Sequence, residues 1–212
     1  MKKVLVFALL FGMLITAAAM AADNNGDVKV NVAASYYPAT FYATNMPDHS
    51  INSIMLEGNL FVGKDKKWKG SIEYFGGNDT KDGIKLDASS VTGRIGYDFW
   101  QHTYFTVDYK STNLKLAGLS NTFNGLGFGL EKDFNLGPRV PMLLAVHYYP
   151  TFSGPRSTNF RVWEYEATIK YQIPNAVDVF AGYKGENWDG YDNASGISAG
   201  FRGPVIGVSK EF

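Results

Sequence analysis

Three groups of residues in this sequence have types and spacings that could do chemistry. The first is His147, with Tyr149 two residues on and Glu164 and Glu166 in the next segment. A histidine beside a carboxylate can serve as a general base with its orienting partner. The same pair also serves as a buried structural hydrogen bond. The second is Gly125-Leu126-Gly127-Phe128-Gly129. It lies inside an alternating apolar segment with no helix after it, so it is not a phosphate cradle. The third is acidic: Glu186-Asn187-Trp188-Asp189-Gly190-Tyr191-Asp192, and Asp23-Asn24-Asn25-Gly26-Asp27. Neither closes on the glutamate of a calcium loop, and the twelfth position counted from Asp23 is Ala34. The chain has no cysteine, which excludes disulfides, cysteine-based metal sites and a lipidated N-terminal cysteine. No catalytic residue, metal or cofactor is assigned.

The elements that must hold these residues alternate with period 2, the pattern of a strand between two different surroundings. Segments are expected near 28–42, 51–63, 68–75, 85–99, 102–111, 123–134, 141–152, 159–173, 176–184 and 203–212. Trp163, Tyr165, Ala167, Ile169 and Tyr171 oppose Glu164, Glu166, Thr168, Lys170 and Gln172, and Leu126, Phe128 and Leu130 oppose Gly125, Gly127, Gly129 and Glu131. Polar stretches at 76–83, 111–121 and 186–195 are expected to be loops. Short turns are expected around Lys64, Trp100, Asn135 and Pro174. The short turns then share one end with both termini, and the longer loops lie at the other.

Aromatic residues mark both ends of these segments, with Trp68, Phe99, Trp100, Phe134, Tyr171 and Phe212 at one and Tyr36, Tyr74, Tyr109, Tyr148 and Tyr183 at the other. Two aromatic girdles around an aliphatic band suit the two interfaces of a membrane. The last segment ends on Phe212, with Ile206 and Val208 on the same face. This ending resembles the C-terminal signal of bacterial outer-membrane β-barrel proteins, in which assembly machinery reads the last strand. The fold class expected is all-β, an antiparallel transmembrane β-barrel of about ten strands, with eight or twelve as alternatives. A soluble sandwich or barrel would need the same pattern turned inside out.

The N-terminus fits export. Lys2 and Lys3 precede an apolar run from Val4 to about Thr16, and Ala19-Met20-Ala21 is a small-x-small cleavage site. The expected division is a signal peptide over 1–21 and one barrel domain over 22–212. Basic and acidic residues number 20 each, and loss of Lys2 and Lys3 leaves 18 against 20, a mature net charge of −2. That balance gives no basic surface for nucleic acid.

If the apolar face meets lipid, the interior receives Glu57, Glu73, Arg94, Asp98, Asp108, Lys110, Glu131, His147, Glu164, Glu166, Lys170, Asp178 and Lys184, with Lys29 and Lys69. Charges of both signs in a narrow barrel should pair across strands. The inward glycines 125, 127 and 129 leave room for a facing tyrosine or line a small channel. The expected role is structural or that of a narrow passive pore, and the expected partners are outer-membrane lipid and lipopolysaccharide, the barrel-assembly machinery and small solutes.

Two resemblances refine this expectation. The region from His147-Tyr148-Tyr149 to Ile173 is similar to the His–Ser–Glu region of outer-membrane lipid A deacylases of the PagL type, which implies a lipid-modifying enzyme. Tyr149 stands where that family has its nucleophilic serine. The half from Phe128 to Phe212 resembles YfaZ-type outer-membrane proteins in Tyr148-Tyr149-Pro150, Glu164-Tyr165-Glu166, Ala181-Gly182-Tyr183-Lys184 and Gly203-Pro204-Val205-Ile206-Gly207-Val208. That resemblance implies a small barrel and carries over no catalytic residue. A surface adhesin is the third alternative.

Overall fold

A computed structural model describes residues 28–212 apart from 64 and 175. The expected signal peptide and the Asp23–Asp27 run lie outside the described residues. Ten strands follow in order: β1 (Val28–Ala43), β2 (His49–Val62), β3 (Trp68–Lys81), β4 (Ile84–Asp98), β5 (Thr103–Leu116), β6 (Leu119–Asn135), β7 (Pro141–Ser153), β8 (Thr158–Tyr171), β9 (Asp178–Asp192) and β10 (Ser198–Glu211). Each pairs with its chain neighbours, antiparallel, and β1 closes on β10. The protein is therefore an antiparallel transmembrane β-barrel of ten strands. Closure reaches the last residue, since Phe212 N donates to Val30 O at 2.8 Å and Val30 N to Phe212 O at 3.2 Å. Phe212, Ile206 and Val208 all point outward and are exposed.

The loop expectations need correction. The stretches 76–83, 111–121 and 186–195 are mostly strand, because β3 runs to Lys81, β5 and β6 meet at a turn of Ala117 and Gly118, and β9 runs to Asp192. Connections at the end without termini are as short as those at the terminal end. Ala117 (φ 48°) and Gly118 (φ 86°) turn the chain in the left-handed region, as do Asp82 (φ 51°) and Gly83 (φ 77°). The length is in the strands, not the loops.

The reason these stretches resemble loops is a change of phase along each strand. On β1, Tyr36 points outward, while Tyr37, Ala39 and Phe41 are buried inside. On β8, Trp163, Ile169 and Tyr171 are exposed outside, while Phe160 and Val162 are buried inside. On β10, Ile206 and Val208 face out and Phe201 and Val205 face in. Near the terminal end the barrel is apolar outside and polar inside. Beyond the far girdle it is polar outside and apolar inside. The outward apolar stretches, such as Val91 to Phe99 and Trp163 to Tyr171, are about nine residues long, one crossing of an outer membrane. The remainder of each strand forms a collar beyond the belt, built as a water-soluble barrel is built. On β7 the phase is adjusted by a register shift between Tyr149 and Phe152, which brings both rings inside, three residues apart. Pro150 and Thr151 occupy the irregularity, where Pro150 has no ladder N–H to lose.

Candidate functional site

The interior is built in three layers. Nearest the termini is a polar vestibule of about 290 Å³, lined by residues including Asn59, Lys66, Asp133, Lys170 and Ser209. Lys66, in the β2–β3 turn, has its ammonium pKa lowered from the ordinary value by burial. Glu57 and Glu166 enter the same space from β2 and β8.

The second layer is ionic. Arg94 on β4 donates from Nη2 to Glu164 Oε1 at 2.6 Å and from Nη1 to Glu73 Oε2 at 3.3 Å. Lys110 on β5 donates to Glu164 Oε2 at 2.7 Å and also bonds Glu186. Lys184 on β9 donates to Glu73 Oε2 at 2.5 Å and lies 3.3 Å from Glu164 Oε1 and 3.4 Å from Glu166 Oε2. The six residues Arg94, Lys110, Lys184, Glu73, Glu164 and Glu186 are all buried. They come from strands distributed around the barrel, so the network ties the wall together across its diameter. With Glu166 beside Lys184, three cations face four carboxylates, and this pairing offsets the cost of taking charge out of water.

Beside it lies a second cluster. Lys69 bonds Glu131, and His147 Nε2 is 3.7 Å from Glu131 Oε1. His147 Nδ1 is 2.7 Å from Asp108 Oδ2. The expected partner for His147 was a glutamate on the next strand. Glu164 is indeed its cross-strand neighbour. The ring instead crosses Gly129, where a Cβ would come within 2.1 Å of Nδ1, and reaches β5. Tyr149 likewise lies over Gly127, with a hypothetical Cβ 2.5 Å from its ring. The inward glycines of β6 therefore hold a tyrosine and a histidine rather than line a channel.

The third layer is an aromatic plug, which replaces the polar lumen expected in this half. Trp188 is 1 % exposed and sits among Phe152, Phe123, Phe160 and Phe201, at ring-centre distances of 5.1, 5.3, 5.6 and 6.2 Å. Tyr37, Phe41, Phe75, Ile51 and Leu86 complete it. Trp188 Nε1 donates to Glu186 Oε1 at 3.0 Å, joining plug to ionic layer. The cavity between the two layers measures about 20 Å³, room for about one water.

The residues expected inside thus divide. Glu73, Arg94, Lys110, Glu164, Glu166 and Lys184 meet in one network, and Asp108, Glu131 and His147 in another. Glu57 and Lys170 line the vestibule. Asp98 and Asp178 serve the rim, accepting from the backbone N–H groups of His102 at 3.1 Å and Ile173 at 3.3 Å. Glu186 and Trp188 lie in the stretch 186–195 expected to be a loop, yet both are buried inside on β9. The parity Lys184, Glu186, Trp188 could have located both inside, because it continues the inward set of β9. His147 is 3 % exposed and faces the interior, away from lipid.

No family model and no curated protein matches the chain. Its fold is similar to that of the outer-membrane protease OmpT from Escherichia coli, with a TM-score of 0.61 over 87 % of this chain and 96 % of that one, at 9 % identity. The translocator domain of the autotransporter NalP from Neisseria meningitidis aligns with a TM-score of 0.47 and 13 % identity, over 100 % of this chain and 98 % of that one. Neisserial surface protein A aligns at 0.42 and 11 % identity, over 88 % and 97 %. At these identities the likeness concerns fold alone.

Proposed function

We propose that this protein is a closed, structural barrel of the bacterial outer membrane, exported by its N-terminal segment, cleaved near Ala21 and oriented with both termini in the periplasm. The observation that carries this reading is the double seal of the interior. The ionic layer and the aromatic plug are both buried, with room for about one water between them. A wide aqueous channel belongs to barrels of about 16–18 strands, whereas the interior of a narrow one is filled by side chains. The apolar belt supports the membrane setting, and the outward Ile206, Val208 and Phe212 of the closing strand support recognition by barrel-assembly machinery.

The YfaZ-like residues of the C-terminal half are wall and seal residues on this reading, so the resemblance marks architecture. The lipid A deacylase alternative draws no support from His147, which is buried against Asp108 and has Tyr149 in place of a serine. Adhesion through long loops draws none from outer turns as short as Ala117-Gly118, although the collar is a surface in its own right.

Single-channel recording of the refolded mature chain in a planar bilayer tests the proposal. An inserted barrel that stays electrically silent is expected. Steady openings whose ion selectivity changes in R94Q or E164Q would overturn it in favour of a narrow pore for small solutes.

A further inference from the structure

The outward surface of β8, β10 and β1 at the far edge of the apolar belt carries a feature absent from the opposite wall. Arg161 and Arg202 are each the first outward residue beyond the belt on their strands, next to exposed Trp163 and Pro204. At the same position β2 to β6 carry Asn52, Gly76, Ser89, Ser111 and Asn124. The Arg202 guanidinium lies over the Tyr42 ring at 5.1 Å, and that of Arg161 over Tyr191 at 5.1 Å. Both tyrosines are held in turn. Tyr42 bonds Asn187 and lies across Gly200, where a Cβ would be 2.5 Å from its hydroxyl oxygen. Tyr191 donates to Thr151 Oγ1 at 3.2 Å. Tyr165 folds over Gly185, the cross-strand partner of Arg202, bringing another hydroxyl to that side.

Neither arginine has an ion pair among the described residues. Asp189 is the cross-strand neighbour of Arg161, yet no ion pair joins them. A guanidinium stacked on an aromatic face keeps its edge N–H groups free, and that planar fork matches the oxygens of a phosphate. Two such groups lie at the depth where lipid headgroups meet hydrocarbon, above outward Trp163 and Tyr183 that suit acyl chains.

We propose that this face binds a phosphate-bearing lipid of the outer leaflet, with Arg202 as the principal contact and Arg161 as the second. The proposal rests on the membrane setting proposed above. Binding would fix the rotational orientation of the barrel toward its lipids, with the β8–β10–β1 sector as the anionic side and the β2–β6 wall as the neutral side.

The test uses the full mature chain, refolded in detergent and titrated with phosphatidic acid or with diacylglycerol, bound lipid being counted by native mass spectrometry. Phosphatidic acid is expected to bind and diacylglycerol not. R202Q should weaken binding about tenfold and the R161Q/R202Q pair further, since each loses a charge-assisted hydrogen bond, whereas K115Q, higher on the collar, should not. Both arginines are exposed, so the variants should fold, and a retained heat-modifiable band on gels verifies it. Equal binding by wild type and the double variant, or equal binding of diacylglycerol, overturns the proposal while leaving the closed barrel standing. Failure of the wild-type chain to insert into vesicles overturns the membrane reading and this inference with it.

Discussion

The indole of Trp188 donates to the carboxylate of Glu186 at 3.0 Å, and that carboxylate also receives the Lys110 ammonium. Two residues on one strand thereby join an aromatic plug to an ionic network. Their spacing of two puts both inside, and the change from Glu to Trp marks the level at which the interior turns from polar to apolar.

W188A should cost about 3–5 kcal/mol of stability, the range for emptying a large aromatic core site. W188F keeps much of the packing and loses one hydrogen bond, a cost of about 1 kcal/mol. Urea unfolding of the refolded chain in micelles measures both, and a W188F as stable as the wild type would refute the role given to the bond.

Glu164 has the most partners of any carboxylate in the ionic layer: Arg94, Lys110 and Lys184. E164Q leaves three buried cations facing fewer charges and should destabilise by about 3–5 kcal/mol. The half-exposed rim pair of Lys29 and Glu211, at 2.6 Å, should contribute about 0.2–1 kcal/mol, so K29M is the contrast. Similar losses in E164Q and K29M would show that the buried network does not hold the wall.

G129A should displace His147 from Asp108, because the added methyl falls on the imidazole. The loss is expected at about 1–3 kcal/mol, the range for overpacking. G93A adds its methyl to open space and should change stability by less than about 0.5 kcal/mol. Thermal unfolding followed by circular dichroism distinguishes them, and a neutral G129A would refute the close fit.

The collar can be mapped because the chain contains no cysteine of its own. Single cysteines at Ser120 and Thr122, outward on the collar, should react with a membrane-impermeant maleimide in whole cells. One at Leu126, outward on the belt, should not. Equal labelling at all three sites would remove the boundary drawn between collar and lipid.

H147A should leave the mass spectrum of lipid A unchanged in cells that express it, while lowering the stability of the barrel. A shift of one acyl chain between wild type and variant would restore the enzymatic alternative.

Much of the barrel wall was legible in the residues. In Trp163 to Tyr171 the outward and inward sets are unambiguous, because one strand face meets hydrocarbon and the other meets charge. The same logic placed Arg94, Lys110, Glu164 and Lys184 on one face of their strands. It failed where the surroundings exchange sides. Trp188 is apolar and inward, and its polar outward neighbours Asn187 and Asp189 give that stretch the appearance of a loop; Phe160 and Val162, on an expected strand, are likewise apolar and inward where the expected set was polar. A change of phase within a strand erases the period on which the pattern depends.

By itself the sequence determined a wall of about ten strands, its antiparallel closure with both ends together, and the inward side of most of the charges, Glu186 excepted. Alternation is local, and each strand carries its own record of what lies on either side. Only the tertiary structure decided which charges meet, that His147 reaches Asp108 over Gly129, and that the far half is filled by rings. Those contacts join strands distant in sequence, and they depend on barrel curvature and on the space a glycine leaves opposite a large side chain, neither of which is a property of any one segment.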